Sequence, residues 1–191
     1  MKDTKTIVNG EYNQRADNNY RWKNTINLLP KTRTRNKTVL DIGDRSQITD
    51  TLEKVWNCSI ETSGSESDFD TTTLRSHFMD KRFDIILSFE VIEHLLNPLH
   101  HMMQVKSLLA DDGIIYLTSP KRKPEFLWSK LHFNEMSLGR LTYLIDKAGL
   151  RIVRTKAIRT LPWWFYFTGF RPLLRLFVDR TFFLEIKHKD K

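Results

Sequence analysis

The sequence predicts an α/β protein built on a mostly parallel sheet, and three neighbouring observations lead to that prediction. Residues 83–89 form a short apolar run with β-branched side chains, which is typical of a strand buried on both faces. From residue 99 to residue 109, Leu, Met and Val recur every three or four positions, as in a helix that packs one side on a sheet. Residues 114–117 then predict a second buried strand. Strand, helix and strand together make a βαβ unit with a right-handed crossover.

The connections of this unit indicate where a ligand would bind. Residues 111–113 (DDG) are expected to end the helix, and residues 119–120 (SP) to end the second strand. Residues 89–94 (FEVIEH) lie between the first strand and the helix, and residues 97–98 (NP) lead into the helix. In an open α/β sheet this connection lies at the carboxyl edge of the strands, where ligands bind.

The remaining elements follow from the same patterns of apolar, capping and turn residues. A leading amphipathic helix is expected to end at Pro30, and Ser46 is a candidate cap for the next helix. Alternating basic and apolar positions over residues 151–158 are typical of an exposed edge strand. The additional helices are expected over residues 20–29, 47–56 and 137–149, and the additional strands over residues 39–43, 57–61, 151–158 and 181–187.

Length and composition favour one globular domain over residues 1–191, with an N-terminal arm and helix over residues 1–36. At 191 residues the chain is long enough for a substantial core. The polar first twenty residues lack a signal core, Cys58 is the single cysteine, and no apolar run reaches the ~18 residues of a membrane span. We therefore expect a cytoplasmic protein. The net charge of +8 favours acidic partners such as phosphorylated compounds, anionic lipid or nucleic acid, or it serves solubility alone.

The central segment carries a family resemblance. FDIILSFEVIEHLLNP followed by LLADDGIIYLTSP resembles the FDvvxxxevlEHlxxP and LkPGG segments of class I S-adenosylmethionine (AdoMet)-dependent methyltransferases. It is similar to the small-molecule group that includes the quinone-biosynthesis methyltransferases, and the likeness extends weakly over residues 37–158. The resemblance implies a Rossmann-like three-layer α/β/α sandwich with an antiparallel last strand, AdoMet as cofactor and a small-molecule methyl acceptor.

The resemblance also assigns a first group of cofactor residues. Residues 39–43 (VLDIG) resemble the opening VLDIGxGxG motif, so Asp41 and Gly43 carry over, whereas residues 44–46 (DRS) stand where the family has further glycines. Glu61 lies eighteen residues after Gly43, close to the spacing of an acid that holds ribose hydroxyls. The alternative is that Glu61 is a surface residue in a loop.

The connection after the second predicted strand is short. From Asp41 to Asp84 there are 43 residues, so we expect the helix that usually follows the second strand to be missing or reduced to a turn. Asp68 or Asp70 could meet the adenine amino group, and Phe69 could stack on the ring. The alternative is that these are solvated loop residues.

Phe89 and Glu90 occupy the positions that line the methionine part of the cofactor in the family, and His94 is a candidate general base. His94 could instead serve only to tie down its loop. His132, in the loop after Pro120, is a second candidate base. No metal is expected, because the sequence has neither a pair of histidines four residues apart nor a cysteine cluster.

An aromatic and basic insert over residues 159–180 precedes the last strand. Six of the eight residues from 163 to 170 are aromatic, and Arg159, Arg171, Arg175 and Arg180 accompany them. This composition fits surface attachment to a membrane, a lipid-linked acceptor or an anionic partner. It also fits an ordinary helical insert that packs on the sheet.

Three functions remain open from the sequence. The first is an AdoMet-dependent methyltransferase that acts on an anionic or lipid-linked small molecule. The second is a non-catalytic binding or scaffold protein whose cofactor loop has degenerated, as residues 44–46 indicate. The third is a nucleic-acid binder or an RNA methyltransferase, which the positive charge supports and the lack of a separate RNA-binding motif argues against.

Overall fold

A computed structural model describes residues 16–31, 36–64, 69–70, 74–79, 81–129 and 131–189. Helices and strands alternate along the first part of the chain, and the strands of the whole chain form one six-stranded sheet. The helices are α1 Ala16–Leu28, α2 Gln47–Trp56, α3 Leu74–Phe78, α4 Pro98–Leu108, α5 Leu138–Lys147 and α6 Phe170–Val178. The strands are β1 Val39–Asp41, β2 Ile60–Thr62, β3 Phe83–Phe89, β4 Leu109–Pro120, β5 Leu150–Arg159 and β6 Arg180–His188.

The strands lie in the order β2-β1-β3-β4-β6-β5. Strand β1 pairs in parallel with β2 and β3, and β3 pairs in parallel with β4. Strand β6 runs antiparallel to both of its neighbours, β4 and β5. The predicted fold, a mostly parallel sheet with an antiparallel last strand, is confirmed.

Two apolar clusters cover the two faces of the sheet. Alternate residues of β3 divide between them: Ile86 packs with α4 and α5 on one face, and Ile85 and Leu87 pack with α1 and α2 on the other. Because a strand turns successive side chains to opposite faces, the continuous apolar run of β3 supplies both clusters at once. Helices on both faces give the three predicted layers.

The predicted turn at residues 111–113 is wrong. Helix α4 ends at Leu108, and Leu109 is already extended and pairs with Phe83 as the first residue of β4. The two strands then lose register, because four residues of β4, 110–113, lie between successive pairing positions where β3 has only Asp84. Residues 111–113 lie in this irregular stretch, and a Cβ on Gly113 would come within 2.7 Å of the Leu109 side chain. Burial of Leu108 and Leu109 outweighs the local turn signal.

The connection between β2 and β3 carries a helix of only five residues, α3, in the part that the structure describes. This agrees with the expectation that the helix after β2 is reduced. Leu74 and Phe78 of α3 are nonetheless buried in the apolar cluster beside α4. The short helix therefore still closes its side of the sheet.

The insert before the last strand contains a short 3-10 helix, Trp163–Phe167, followed by α6. Only Tyr166 of the 3-10 helix is fully buried, whereas Trp163, Trp164, Phe167 and the α6 residue Phe170 are more than half exposed. Among the described residues, no helix combines the length and the hydrophobicity that crossing a bilayer requires.

Leu87→Ala tests the central position of β3 in the core. Leu87 is fully buried and pairs with Asp41 in β1 and with Tyr116 in β4. We expect the substitution to lower the free energy of unfolding by about 2–5 kcal/mol, since a cavity forms inside a packed layer. Urea unfolding measures the change. Val55→Ala on the exposed side of α2 is the control and should change stability by less than about 0.5 kcal/mol; an equal loss in both variants would contradict the assignment.

Candidate cofactor and catalytic site

A small cavity lies where β1 and β3 end. The pairing of these strands continues past β1, because the Ile42 amide donates a hydrogen bond to the Leu87 carbonyl at 2.9 Å. The loop that follows β1 therefore lies beside the end of β3 at the carboxyl edge of the sheet. The cavity has a volume of about 90 Å³, and Asp41, Gly43 and Glu90 contribute to its wall.

The loop after β1 turns sharply at Gly43, which has φ of +119°, a value that favours glycine. The Gly43 amide donates to the Ser63 hydroxyl oxygen at 2.8 Å, and the Gly43 carbonyl accepts from the Gly64 amide at 3.0 Å. These bonds tie the β1 loop to the chain that leaves β2. A Cβ at residue 43 would meet no atom within 4 Å, so the glycine leaves an open face on the cavity.

Asp41 is a buried carboxyl at the base of this loop. The Thr49 hydroxyl donates to its Oδ2 at 2.6 Å and also accepts from the Ser46 amide at 3.1 Å. Burial raises the pKa of Asp41 to about 7, although the Thr49 hydrogen bond and the Arg45 charge both oppose the rise. Asp41 thus links the end of β1 to the start of α2 and titrates near neutral pH.

The residue after β3, Glu90, has a left-handed backbone with φ of 56°, which is unusual for a residue with a side chain. Its amide donates to the Thr118 carbonyl at 3.1 Å, which fixes the turn against β4. Its carboxylate forms an ion pair with Arg21 of α1 at 2.7 Å, and both side chains are largely buried. The ion pair fastens α1 across the cavity.

A larger groove of about 970 Å³ opens beside the cavity. The two share Arg21, Glu90, Ser129 and His132 as wall residues. Pockets for small molecules usually hold roughly 300 Å³ or more. A ligand of nucleoside size therefore needs more room than the cavity alone offers, and the Arg21–Glu90 pair lies where the cavity and the groove meet.

Glu93 lies in a 3-10 turn, Ile92–His94, that follows the loop after β3. Its carbonyl accepts from the amides of Phe133 and Asn134 at 2.8 and 3.0 Å, so this turn holds the loop that follows β4. Its carboxyl group is fully buried, and neither oxygen has a hydrogen-bond partner among the described residues. Burial and the neighbouring Glu90 carboxylate raise the pKa of Glu93 well above its usual value.

The two candidate bases lie against each other, with ring centroids 4.9 Å apart in an edge-to-face arrangement. His94 Nδ1 lies 2.9 Å from the Leu131 carbonyl, and His132 Nδ1 lies 2.8 Å from Oε1 of Glu135. Since a carbonyl and a carboxylate accept hydrogen bonds, we assign the proton of each ring to Nδ1, which leaves each Nε2 as an acceptor. Burial lowers the pKa of His94 in spite of its bond to Leu131, and the nearby His132 lowers it further.

Glu135 is a buried carboxylate that supports His132 from behind. It also pairs with Lys123 at 3.1 Å, and its side chain is inaccessible to solvent. Burial alone would raise the pKa of Glu135, but the hydrogen bonds from His132 and Lys123 outweigh it, so its pKa is lowered. Glu135 therefore stays ionised and orients the His132 ring.

Most of the residues singled out from the sequence meet at this cavity. Glu61 lies apart from it: its side chain is 44% exposed and pairs with Lys81 at 2.8 Å on the edge strand β2. The candidate residues in the cavity wall are Asp41, Gly43, Phe89, Glu90, His94 and His132.

The candidates for the adenine end lie elsewhere. Asp70 accepts from the amides of Leu96 and Asn97 at 3.0 and 2.7 Å and so holds the turn before α4. Phe69 is buried and packs edge-on against His101 at 5.7 Å. Asp68 lies outside the described residues.

Several residues of the site carry too little sequence signal to be found in advance. Arg21 lies on a helix whose side toward the cavity depends on how the helix packs. Ser63 reaches Gly43 only because β1 and β2 pair in register. The position of Glu135 three residues after His132 is a usable sequence signal for their contact, but the burial of Glu135 depends on the fold.

Comparison with known proteins assigns the family. The family model described as "Methyltransferase domain" matches residues 12–174, so the chain belongs to the methyltransferase-domain family. A curated relative is the ubiquinone biosynthesis O-methyltransferase of Dinoroseobacter shibae, 35% identical over 119 residues that cover 51% of this chain and 46% of that protein. The chain spans about half the length of the curated relative that it matches.

Solved structures agree on the fold. The 1,6-didemethyltoxoflavin-N1-methyltransferase of Burkholderia thailandensis, solved with S-adenosylhomocysteine, matches with a TM-score of 0.57 at 12% identity and covers 94% of this chain and 81% of that chain. An AdoMet-dependent methyltransferase of Mesorhizobium loti has the same TM-score and identity, with 87% and 97% covered. Both of these solved structures are methyltransferases, and at these identities they establish a Rossmann-like fold alone.

Asp41→Asn tests the buried carboxyl. Because the pKa of Asp41 is raised on folding, the folded state binds its proton more tightly than the unfolded chain does. Wild-type stability should therefore fall as the pH rises from about 4 to about 7, by as much as roughly 4 kcal/mol from this group. The Asn variant has no proton to lose, so its stability relative to wild type should increase over this range. Urea unfolding at several pH values measures the difference, and a difference that does not change with pH would contradict the assignment.

Proposed function

We propose that this protein is an AdoMet-dependent methyltransferase acting on a small-molecule acceptor. The observation that carries the proposal is the cavity at the ends of β1 and β3, where Asp41 and Gly43 lie beside Phe89 and Glu90 and which joins a groove large enough for an acceptor. AdoMet, when bound, supplies a methyl group on a positively charged sulfur that is already activated for transfer. The protein then has to align the two ligands and exclude water.

The chemistry of the cavity wall suits such a cofactor. Gly43 leaves space next to the chain, Phe89 adds an aromatic wall, and the carboxylate of Glu90 favours a ligand with positive charge. Binding has to displace the Arg21 side chain from Glu90, since the small cavity ends at this ion pair. A ligand cation next to Glu90 would replace the guanidinium charge that is lost.

Two imidazoles are available to take a proton from an acceptor hydroxyl. The lowered pKa of His94 keeps its imidazole neutral at pH 7, and its Nε2 is the nitrogen free to accept. His132 lies in the wall of both the cavity and the groove, and Glu135 fixes its orientation. We assign His94 as the first candidate base and His132 as the second.

The groove indicates an acceptor with an apolar body and an anionic group. Its walls combine Phe126, Trp128 and Trp164 with Lys123 and Arg175, and an anionic group would have to compete with the carboxylates of Glu135 and Asp179 that pair with these two cations. We extend the proposal to a lipid-linked acceptor reached from a membrane surface, since the insert that forms one groove wall also exposes large apolar side chains. These exposed side chains are Trp163, Trp164, Phe167, Phe170 and Phe177.

A second candidate function is a non-catalytic binding protein with the methyltransferase fold. It is favoured by the small volume of the cavity, about 90 Å³, and by the Arg21–Glu90 pair that closes it toward the groove. Residues 44–46, which replace the glycines of the family motif, point the same way. A direct binding measurement separates the two functions.

Gly43→Ala tests the cofactor assignment by isothermal titration calorimetry with S-adenosylhomocysteine. We expect the wild-type protein to bind, and we expect the variant to bind at least about tenfold more weakly, because the new Cβ enters the space left for the ligand. Strain at the positive φ should cost about 1 kcal/mol of stability, which thermal unfolding checks separately. Gly139→Ala in α5, where a Cβ also meets open space, is the matched control. A wild-type protein that releases no heat and shows no thermal shift would favour the binding-protein alternative.

Vesicle sedimentation tests the membrane part of the proposal. The protein should pellet with vesicles of anionic phosphatidylglycerol more than with neutral phosphatidylcholine, since net positive charge and exposed aromatic side chains act together. The double variant Trp163→Ser, Trp164→Ser should lose most of this binding. Tyr143→Ser, an exposed aromatic residue of α5, is the control and should leave binding unchanged. Equal binding by all three proteins would refute a role for the insert.

A further inference from the structure

We infer that Glu93, His94 and His132 form a binding site for a divalent metal ion of the zinc type. Each residue offers one ligand atom, and the three atoms lie within 4.8 Å of one another. Two imidazole nitrogens and one carboxylate oxygen form a common protein ligand set for Zn²⁺ and related ions. At metal–ligand distances of about 2.1 Å the donor atoms would draw together by a small adjustment of the side chains.

The orientation of the two histidines supports the assignment independently. Both rings use Nδ1 for a protein hydrogen bond, His94 to the Leu131 carbonyl and His132 to the Glu135 carboxylate. The nitrogen left over on each ring is Nε2. Metal-binding histidines are held in this way, with the second nitrogen donating to a carbonyl or a carboxylate that fixes the ring. Glu135 is itself buried and held by Lys123, so the support is rigid.

The buried carboxyl group of Glu93 is the observation that indicates a ligand. Its carboxyl group is fully buried, and neither oxygen has a hydrogen-bond partner among the described residues. A buried carboxyl of this kind is costly in either protonation state, because it gives up its hydration and only its own main chain and the Arg21 charge offset part of that loss. A cation between Glu93 and the two imidazoles would remove this cost. The main-chain carbonyl of Glu93 already holds the loop that carries His132, so the two segments are fixed to each other.

The location of the cluster suggests what the ion would contact. His94 and His132 both line the cavity, and His132 also lines the groove, so coordination positions not taken by protein would face bound ligands. If the proposed methyl transfer is correct, on which this step rests, the ion would bind the acceptor through a hydroxyl or carboxylate oxygen. An oxygen bound to a divalent cation loses its proton more easily, and Nε2 atoms occupied by the metal would then not act as bases.

The sequence gives little warning of this site. The two histidines are 38 positions apart and come from different loops, so the usual search for closely spaced ligands misses them. They meet because the turn after β3 and the loop after β4 leave adjacent parallel strands at the same edge of the sheet.

Calorimetric titration of the full chain with Zn²⁺, and absorption spectroscopy with Co²⁺, test the inference. We expect one ion per chain with micromolar or tighter affinity, and visible Co²⁺ bands stronger than those of the hydrated ion, as a site of lower coordination number gives. His132→Gln should weaken binding at least tenfold, and Glu93→Gln should do the same. Glu135→Gln should weaken it less, since Glu135 positions His132 without touching the ion. His77→Gln, which removes an exposed histidine outside the cluster, is the control and should bind as wild type does.

Two outcomes would overturn the metal site. One is a wild-type protein that binds neither Zn²⁺ nor Co²⁺ in this range, and the other is a His132→Gln protein that binds as wild type does. Thermal unfolding identifies any variant that fails to fold. His132 lines the cavity and keeps 11% of its side-chain surface exposed, whereas Glu93 is fully buried, so His132→Gln keeps the test valid if Glu93→Gln is unstable. Titration with S-adenosylhomocysteine in the presence of EDTA tests the cofactor site separately from the metal site. A protein that binds the nucleoside in EDTA but binds neither Zn²⁺ nor Co²⁺ in the metal titrations would refute the metal site and leave the proposed function intact.

Discussion

The parallel pairing of β1 with β3 is the constraint on which the site depends. The hydrogen bond from the Ile42 amide to the Leu87 carbonyl is the last bond of this pairing, and it sets the β1 loop beside the turn after β3. A shift of one residue in register would turn Leu87 and Ile86 to the wrong faces of the sheet. Both are fully buried, so the two apolar clusters oppose any shift. The core thereby fixes the relative position of Gly43 and Glu90.

A second feature of the site is a group of buried carboxyl side chains near the ends of the strands. Glu90 holds a left-handed backbone that costs of order 1–3 kcal/mol, and its ion pair with Arg21 helps to offset this cost. Glu93 lies beside it and is buried, with no hydrogen-bond partner for its carboxyl oxygens in the part of the chain that the structure describes, and Glu135 is compensated by Lys123 and His132. Three carboxyl groups thus share a small volume. Such an arrangement is typical of a site that binds a cation or a cationic ligand.

The sequence predicts the helices and strands well, but it predicts few of the contacts that form only when the sheet has assembled. The strands, α2, α5 and the antiparallel last strand could be predicted, because burial on one or both faces leaves a periodic pattern or because the family motif implied them. The prediction of a turn at residues 111–113 was wrong. A turn signal depends only on neighbouring residues in the sequence, whereas the burial of Leu109 depends on its pairing with Phe83 in the sheet. Glu61 matched the expected spacing, yet its partner is Lys81, and this contact between β2 and the segment that precedes β3 is not encoded by spacing. The pairing of His94 with His132 depends on β3 and β4 being neighbours, which fixes their distance only once the sheet is built.

We propose that the edge formed by β1 and β3 receives a sulfonium nucleoside. A crystal structure of the protein soaked with S-adenosylhomocysteine tests it most directly. The account predicts electron density next to Gly43 and Phe89, with the Arg21 side chain moved away from Glu90. Density at another place on the molecule, or an unchanged Arg21–Glu90 pair with no ligand at concentrations that saturate related enzymes, would contradict it.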